Sequence, residues 1–464
     1  MRHRALLRPS DRGRLCLAAL LVVLAAPAAP ASRISVPYEM FRLPNGLTVI
    51  VHEDHSAPIL SVNCWYHVGS GRETPGRTGF AHLFEHLMFE GSKNVPEGAF
   101  DRWLEAVGGD NNGSTQVDRT NYYENVPSNA LEVPLFLESD RMGFLLDSLT
   151  PKTVDGQRDV VKNERRQGVE NQPYGKVEDV LPPALFPKDH PYSWPVIGSM
   201  ADLTAASQED VRDFFRKWYG PANASLVIAG DVDAKEARRL AEKWFADVPK
   251  SEPVEPLVPR PVVLREEKRI TLEDKVQLPR LYAAWVTPPA FAPGDAALDA
   301  LGALLSTGKN SRLYKRLVYE LQVAQDVTAF QDSNALASTF QVIVTARSGH
   351  GLEEIRGLVD EELEKLRQAP PAARELERFQ NRAEAGVYDR FERVGGFGGK
   401  ADQLNAYFFR TGNPDYYEED LARYRSLQPN DIQAAAARFL GPGRVLVSVV
   451  PEGQKQLALP EVSR

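Results

Sequence analysis

The most chemically pointed stretch of the chain is His82-Leu83-Phe84-Glu85-His86. On a helix of 3.6 residues per turn the two imidazoles stand one above the other on one face and can bind a single cation, with Glu85 beside them. That set suits a zinc site in which two His ligate, a water fills an open position, and the carboxylate takes the water's proton. With 8 His in the chain, an H-x-x-E-H match arises by chance about one time in a hundred. A hydrolytic zinc needs a third protein ligand, usually His or Glu. Glu138, Glu164, Glu170 and Glu178, all on helix patterns, are candidates, and spacing alone does not choose among them.

The elements around the motif must place it on a helix. Residues 78–91, TGFAHLFEHLMFEG, form an apolar helix pattern ending in Gly, after the strand-like run SVNCWYHV at 61–68. The same succession returns as RLYAAWVT at 280–287 and DAALDALGALLSTG at 295–308. A second echo pairs 207–221, SQEDVRDFFRKWYGP, with 428–442, QPNDIQAAAARFLGP, and a buried-strand run follows each, ASLVIAGDV and RVLVSVV. GLTVIVHE and ILSVNCWYHV read as neighbouring strands, and NNGSTQVD with TNYYENV as another pair. Helices are expected over roughly 97–107, 128–148, 153–170, 207–218 and 234–246. The fold class is therefore α+β: two homologous α/β domains, each a mostly antiparallel sheet packed with helices.

Composition fits this duplication. The chain has 464 residues, 43% hydrophobic and 25% charged, too long for one core and too apolar for disorder. Its net charge of −8 disfavours nucleic acid as a partner. Residues 1–31 read as an export signal: five Arg precede the apolar run Leu15 to Ala26, and Ala29-Pro30-Ala31 offers a cleavage site. Its removal leaves 50 basic and 62 acidic side chains, a net −12, with Cys64 as the remaining cysteine and no membrane span in the mature chain. Five prolines between 249 and 262 mark a linker, placed at 250–263, which separates domains at 33–249 and 264–464. His52, His55 and His67 read as packing or surface residues, and His190 as a loop residue.

The inverted zinc motif and the duplicated halves resemble the inverzincin metallopeptidases, the group of pitrilysin, insulin-degrading enzyme and the mitochondrial processing peptidases. The resemblance covers nearly the whole mature chain and implies a third ligand from a later helix in a pattern like R-x-V-V-x-x-E. Here Arg158-Asp159-Val160-Val161-Lys162-Asn163-Glu164 places that ligand at Glu164. The acidic residue that family members often carry seven positions earlier is Gln157 in this chain. The resemblance implies a zinc endopeptidase, with Zn2+ on His82, His86 and Glu164 and Glu85 as general base. Its peptide substrate binds extended against an edge strand near Asn112, Gly113 and Ser114, although NNG also reads as a turn. Alternatives are a narrow precursor-processing peptidase and a non-catalytic peptide-binding or scaffold subunit.

Aligning the repeats at Gly91 and Gly308 sets Asp299 opposite His82, Gly302 opposite Glu85 and Ala303 opposite His86, with Ala383 opposite Glu164. The second half is thus expected to be free of metal. Family enzymes bring from this half an Arg and, seven residues on, a Tyr that hold the substrate. Those positions fall on Val318 and Gln325, while Arg312 and Tyr319 share only the interval. The missing pair implies a hetero-oligomer in which a homologous subunit donates it, or else a homodimer that dispenses with it. Residues 395–399, Gly-Gly-Phe-Gly-Gly, read as a helix interruption or a gate. Export implies a periplasmic location.

Overall fold

Two apolar strand sets pair into two sheets. The computed structural model describes residues 34–258 and 261–461, so the export segment 1–31 lies outside the described residues. The first sheet contains β1 (Glu39–Arg42), β2 (Thr48–Glu53), β3 (Ile59–Tyr66), β4 (Asp110–Thr115), β5 (Thr120–Pro127) and β6 (Ala224–Gly230), in the order β1-β2-β6-β3-β5-β4. The second contains β7 (Lys268–Asp274), β8 (Arg280–Thr287), β9 (Ala324–Asp332), β10 (Ser338–Ala346) and β11 (Val445–Pro451), in the order β7-β11-β8-β10-β9. Matching β2-β6-β3-β5-β4 to β7-β11-β8-β10-β9 brings the two orders into register. The parallel pair falls at the same place in both, β2 with β6 and β7 with β11. The repeat in the sequence is therefore a repeat of topology, to which the first half adds β1.

The helices of the first half are α1 (Phe80–Leu87), α2 (Ala99–Ala106), α3 (Glu132–Ser148), α4 (Pro151–Arg165), α5 (Val177–Leu185), α6 (Met200–Ala205), α7 (Gln208–Trp218) and α8 (Ala234–Phe245). The second half has α9 (Asp295–Ser306), α10 (Leu352–Gln368), α11 (Ala373–Phe391), α12 (Lys400–Thr411), α13 (Tyr417–Arg425) and α14 (Pro429–Phe439). The five expected helices appear as α2, α3, α4, α7 and α8. They differ at their ends, where residues 128–130 form a 3-10 turn before α3 and residues 166–170 a π turn after α4. Glycine and proline signals mark such ends only to within a few residues.

Each half covers the other's sheet. On β3, Leu60, Val62, Cys64 and Tyr66 enter the first core with Phe80, Leu83, Phe84 and Leu87. Ser61, Asn63 and Trp65 alternate to the opposite face, where α12 of the second half lies across β3 and β6. There Asn405 Nδ2 donates to the Asn63 carbonyl (2.8 Å) and side chain (2.7 Å), and Trp65 Nε1 donates to Asp402 (2.9 Å). In return α5 of the first half lies on the second sheet, where Val177, Leu181 and Leu185 pack with Tyr282, Ala284, Val445, Val447 and Val449. Residues 395–399 connect α11 to α12 at this junction, and Phe397 meets the Tyr123 ring edge-on with centroids 5.0 Å apart.

Candidate metal centre

The helix α1 owes its orientation to one apolar face. Phe80, Leu83, Phe84 and Leu87 are buried, which leaves His82, Glu85 and His86 partly exposed on the other side. Its N-terminal neighbour Gly79 has a left-handed φ of 90° and brings no side chain to cap the helix. Glu73 does so from upstream, accepting the amides of Gly79 (3.0 Å) and Ala81 (2.8 Å). Burial pushes the Glu73 carboxyl up to about 8, while the Ala81, Gly79 and Phe80 amides pull it down.

The helix α4 starts with Pro151 after Thr150, whose hydroxyl accepts the Thr153 amide at 3.2 Å. It packs on α1 and carries Glu164 in its last turn. Glu164 Oε2 stands 3.2 Å from His86 Nε2 and 3.7 Å from His82 Nε2. Two ligand atoms each ~2.0–2.1 Å from a tetrahedral zinc stand about 3.3 Å apart. The set thus fits a zinc ion after small side-chain adjustment. These three residues form the one group of at least three such side chains among the described residues whose ligand atoms lie within 4.8 Å of one another. Burial first, then the neighbouring His86, brings His82 down to about 4, with Glu164 opposing. His82 is therefore neutral near pH 7, the form that ligates, and its buried Nδ1 has no hydrogen-bond partner. Gln157, two turns before Glu164 on the same side of α4, donates to Glu90 at 2.5 Å.

The other candidate ligands lie elsewhere. Glu138 is buried in an ion-pair cluster with Arg141, which donates to Glu138 Oε2 and to Glu124 Oε1 at 3.0 Å each. Glu170 is exposed in the π turn after α4, and Glu178 sits on α5. His52, His55 and His67 are held separately, by the Pro37 carbonyl, Asp231 and Ser225.

His82 and Glu85 open into a cleft of about 800 Å³ shared by both halves. Ser114 and Thr115 of β4 line it. This strand closes one end of its sheet, paired with β5 alone among the described strands. The NNG segment is thus strand and not turn. Glycine suits position 113, because a Cβ would come within 3.1 Å of the Tyr122 ring and 3.2 Å of the Phe89 ring, tighter than most side chains pack. Asn112 is exposed on the same strand, and its Oδ1 accepts the Gly113 amide at 2.8 Å. Tyr122 is core, as its burial shows.

The second half repeats the scaffold without the ligands. Its α9 holds Asp299, Gly302 and Ala303, and α11, which packs on α9 as α4 packs on α1, holds Ala383. Val318 packs against the second core and Gln325 is exposed on β9. Arg312 is locked to Glu375 by two 2.8 Å hydrogen bonds and Tyr319 is 74% exposed, so neither lines the cleft. The cleft wall of the second half instead carries Arg280 and Tyr282 of β8. Sequence reasoning passed over these two, although an Arg-x-Tyr at a strand start places both side chains on one face.

Residues 48–195 match the profile of Insulinase (Peptidase family M16), and residues 205–383 match that of the Peptidase M16 inactive domain. The zinc protease PqqE of Helicobacter pylori is 29% identical over 384 residues, which cover 82% of this chain and 85% of that relative. The β subunit of the mitochondrial processing peptidase of Blastocladiella emersonii is 24% identical, over 75% of this chain and 76% of its own. Among solved structures, a protease from Helicobacter pylori has a TM-score of 0.83 at 26% identity and covers 90% of this chain and 100% of its own. With the duplicated topology, the site geometry and both halves of the profile in agreement, the chain belongs to the M16 peptidase family.

Proposed function

We propose that this chain is a zinc-dependent endopeptidase acting on unfolded peptides. One observation carries the reading: the ligand atoms of His82, His86 and Glu164 converge within 4.8 Å on a cleft that Glu85 also lines. His82, His86 and Glu164 would hold a zinc ion, which would supply a Lewis acid for the scissile carbonyl and acidify an attacking water towards a pKa of ~7. Glu85 takes the proton of that water and hands it to the leaving amine. The substrate adds to the free edge of β4 in extended form, beside Asn112, Gly113 and Ser114, so main-chain hydrogen bonds hold it with loose sequence preference. The name of the Helicobacter pylori relative, a zinc protease, supports this reading.

In this scheme residues 33–249 form the zinc-bearing domain, 250–263 the linker and 264–464 a metal-free domain that encloses substrate. Val318 and Gln325 stand where an Arg and a Tyr are expected, which supports a hetero-oligomer whose homologous subunit donates that pair, with a homodimer as the other form. The basic and then apolar segment 1–31 supports export to a periplasm with cleavage near Ala31, and no helix among the described residues is long and apolar enough to cross a membrane.

The test is metal content and peptide turnover of the wild type, Glu85→Gln and Glu164→Gln, each with and without a homologous chain. Glu85→Gln should keep its zinc and lose about 10²–10⁴-fold in turnover, whereas Glu164→Gln should lose the metal as well. Undiminished turnover in Glu85→Gln removes the base from its role. Equal rates with and without the second chain remove the hetero-oligomer.

A further inference from the structure

Among the described residues Arg280 is the one Lys or Arg on the wall of the metal cleft, where the acidic side chains are Glu85, Glu178 and Asp332. It forms no ion pair among the described residues, although almost every other half-buried arginine of the second half has a carboxylate partner, as Arg312, Arg316, Arg423 and Arg444 show. Its guanidinium is nevertheless fixed. The carbon Cζ lies 3.6 Å from the centre of the Tyr174 ring, Nε donates to Thr345 Oγ1 at 2.8 Å, and Nη1 lies 3.5 Å from Tyr282 Oη. Thr345 Oγ1 in turn donates to Asp326 Oδ1 at 3.1 Å, so that carboxylate is reached through Thr345 and not directly.

The platform under Arg280 is itself built. Tyr174 has φ 66°, a left-handed conformation that a bulky side chain rarely adopts. It is held there by its amide, which donates to Asp274 Oδ2 at 3.0 Å, and by its hydroxyl, which donates to the Leu278 carbonyl at 2.9 Å. A strained aromatic residue from the first half thus holds an unpaired cation of the second half in place. A planar guanidinium stacked on a ring, with its Nε already used, leaves its Nη groups as a fork for a carboxylate.

We infer that Arg280 is a specificity-determining residue that receives a carboxylate of the peptide in the cleft. This rests on the peptidase reading, since the peptide is the occupant that reading supplies. The acidic side chains that share the cleft, Glu85, Glu178 and Asp332, disfavour a carboxylate beside them, so a pairing with Arg280 fixes which way the peptide lies. The carboxylate is either the C-terminus or an acidic side chain, and the two are separable.

The experiment measures binding with zinc-loaded Glu85→Gln protein, so that it does not require turnover. Fluorescence anisotropy compares a peptide free of Asp and Glu bearing a C-terminal carboxylate, its C-terminal amide, and two further amides with one internal Glu or Gln. The expected result is about tenfold tighter binding of the free acid than the amide, or of the Glu peptide than the Gln peptide. That preference should fall with added salt and vanish when Arg280→Gln is added, while Arg280→Lys, which keeps charge but not the fork, retains part of it. The first preference assigns the C-terminus and the second a side chain. Absence of both preferences, a preference indifferent to salt, or one that survives Arg280→Gln overturns the inference. If the wild type turns over no peptide even with a homologous chain present yet the preference is found, the peptidase reading fails while the binding of a peptide carboxylate at Arg280 stands.

Discussion

Asp299 occupies in the second half the position that His82 occupies in the first, and its environment makes a measurable difference between the two copies. Tyr424 Oη donates to Asp299 Oδ2 at 3.0 Å. Burial first, and then the Asp295 charge, push the Asp299 carboxyl up to about 7, with Tyr424 and Arg423 pulling it down. The folded protein therefore keeps this proton to about pH 7, whereas the unfolded chain releases it near pH 4. Through that window the folded state binds more protons, so the contribution of Asp299 to stability is present at low pH and declines as pH rises. Asp299→Asn keeps an acceptor for Tyr424 and removes the titration. Its stability advantage over wild type should grow from about pH 4 to about pH 7, level off above that, and reach the order of a few kcal/mol, read from thermal unfolding at several pH values. An offset that stays constant with pH would remove Asp299 as its source. At this scale the sequence was legible where chemistry recurs at helical spacing, as in His82, Glu85 and His86. Glu164 lies 78 residues from His86, and only family resemblance singled it out from Glu138, which its pairing with Arg141 explains in full.

Among the elements, α1 is the shortest part of the site and the most dependent on its surroundings. An eight-residue helix does not hold itself in water, so its buried face and its N-terminal anchor decide where the imidazoles point. Glu73→Ala removes the acceptor for two buried amides, which costs about 2–4 kcal/mol, and frees the first turn, where His82 begins. Zinc affinity measured by chelator competition should fall about 10–100-fold, with Glu73→Gln, which keeps one acceptor, in between. If the melting temperature drops and zinc affinity does not, the apolar face alone orients the helix. Most elements were readable because their apolar residues recur with one period, as on α7 and β6. Glu73 was not, because its partners are backbone amides that carry no sequence signal. The role of α5 was hidden for another reason: Pro182 and Pro183 lie inside it, and its apolar face serves a sheet whose first strand begins 83 residues after the helix ends.

For the whole molecule the exchange of α5 and α12 matters more than the linker. The sequence suggests two units joined by a proline-rich hinge, and the repeated topology agrees, yet neither sheet is covered by its own half alone. Nothing in the period of β3 or β11 tells whether the neighbour on the second face is local, because a strand buried on both faces reads the same in either case. The two junctions also differ in kind. The α12 side is more polar, built on Asn405 with Asn63 and Ser225 and on Lys400 paired with Asp54, beside Phe409 against the Trp65 and His67 rings. The α5 side is apolar, and burying each of Val445, Val447 and Val449 there is worth ~1.5–3 kcal/mol. A third tie joins the halves at the cleft, where Asp118 accepts from Tyr192 and from the Ala335 amide (2.8 Å) and Tyr192 Oη accepts the Leu336 amide (3.0 Å). Separate expression of the two halves, divided within the linker, should therefore give unequal products. The second half, stripped of α5, exposes a valine-rich sheet face and should aggregate. The first half, stripped of α12, exposes Ser61, Asn63 and Trp65 and should stay in solution with a lowered melting temperature. Co-expression should restore a soluble complex that binds zinc, and the intact chain should unfold in one calorimetric transition. A second half that is monomeric by size exclusion and melts cooperatively by itself would mean that the exchanged helices decorate two independent domains and do not join them.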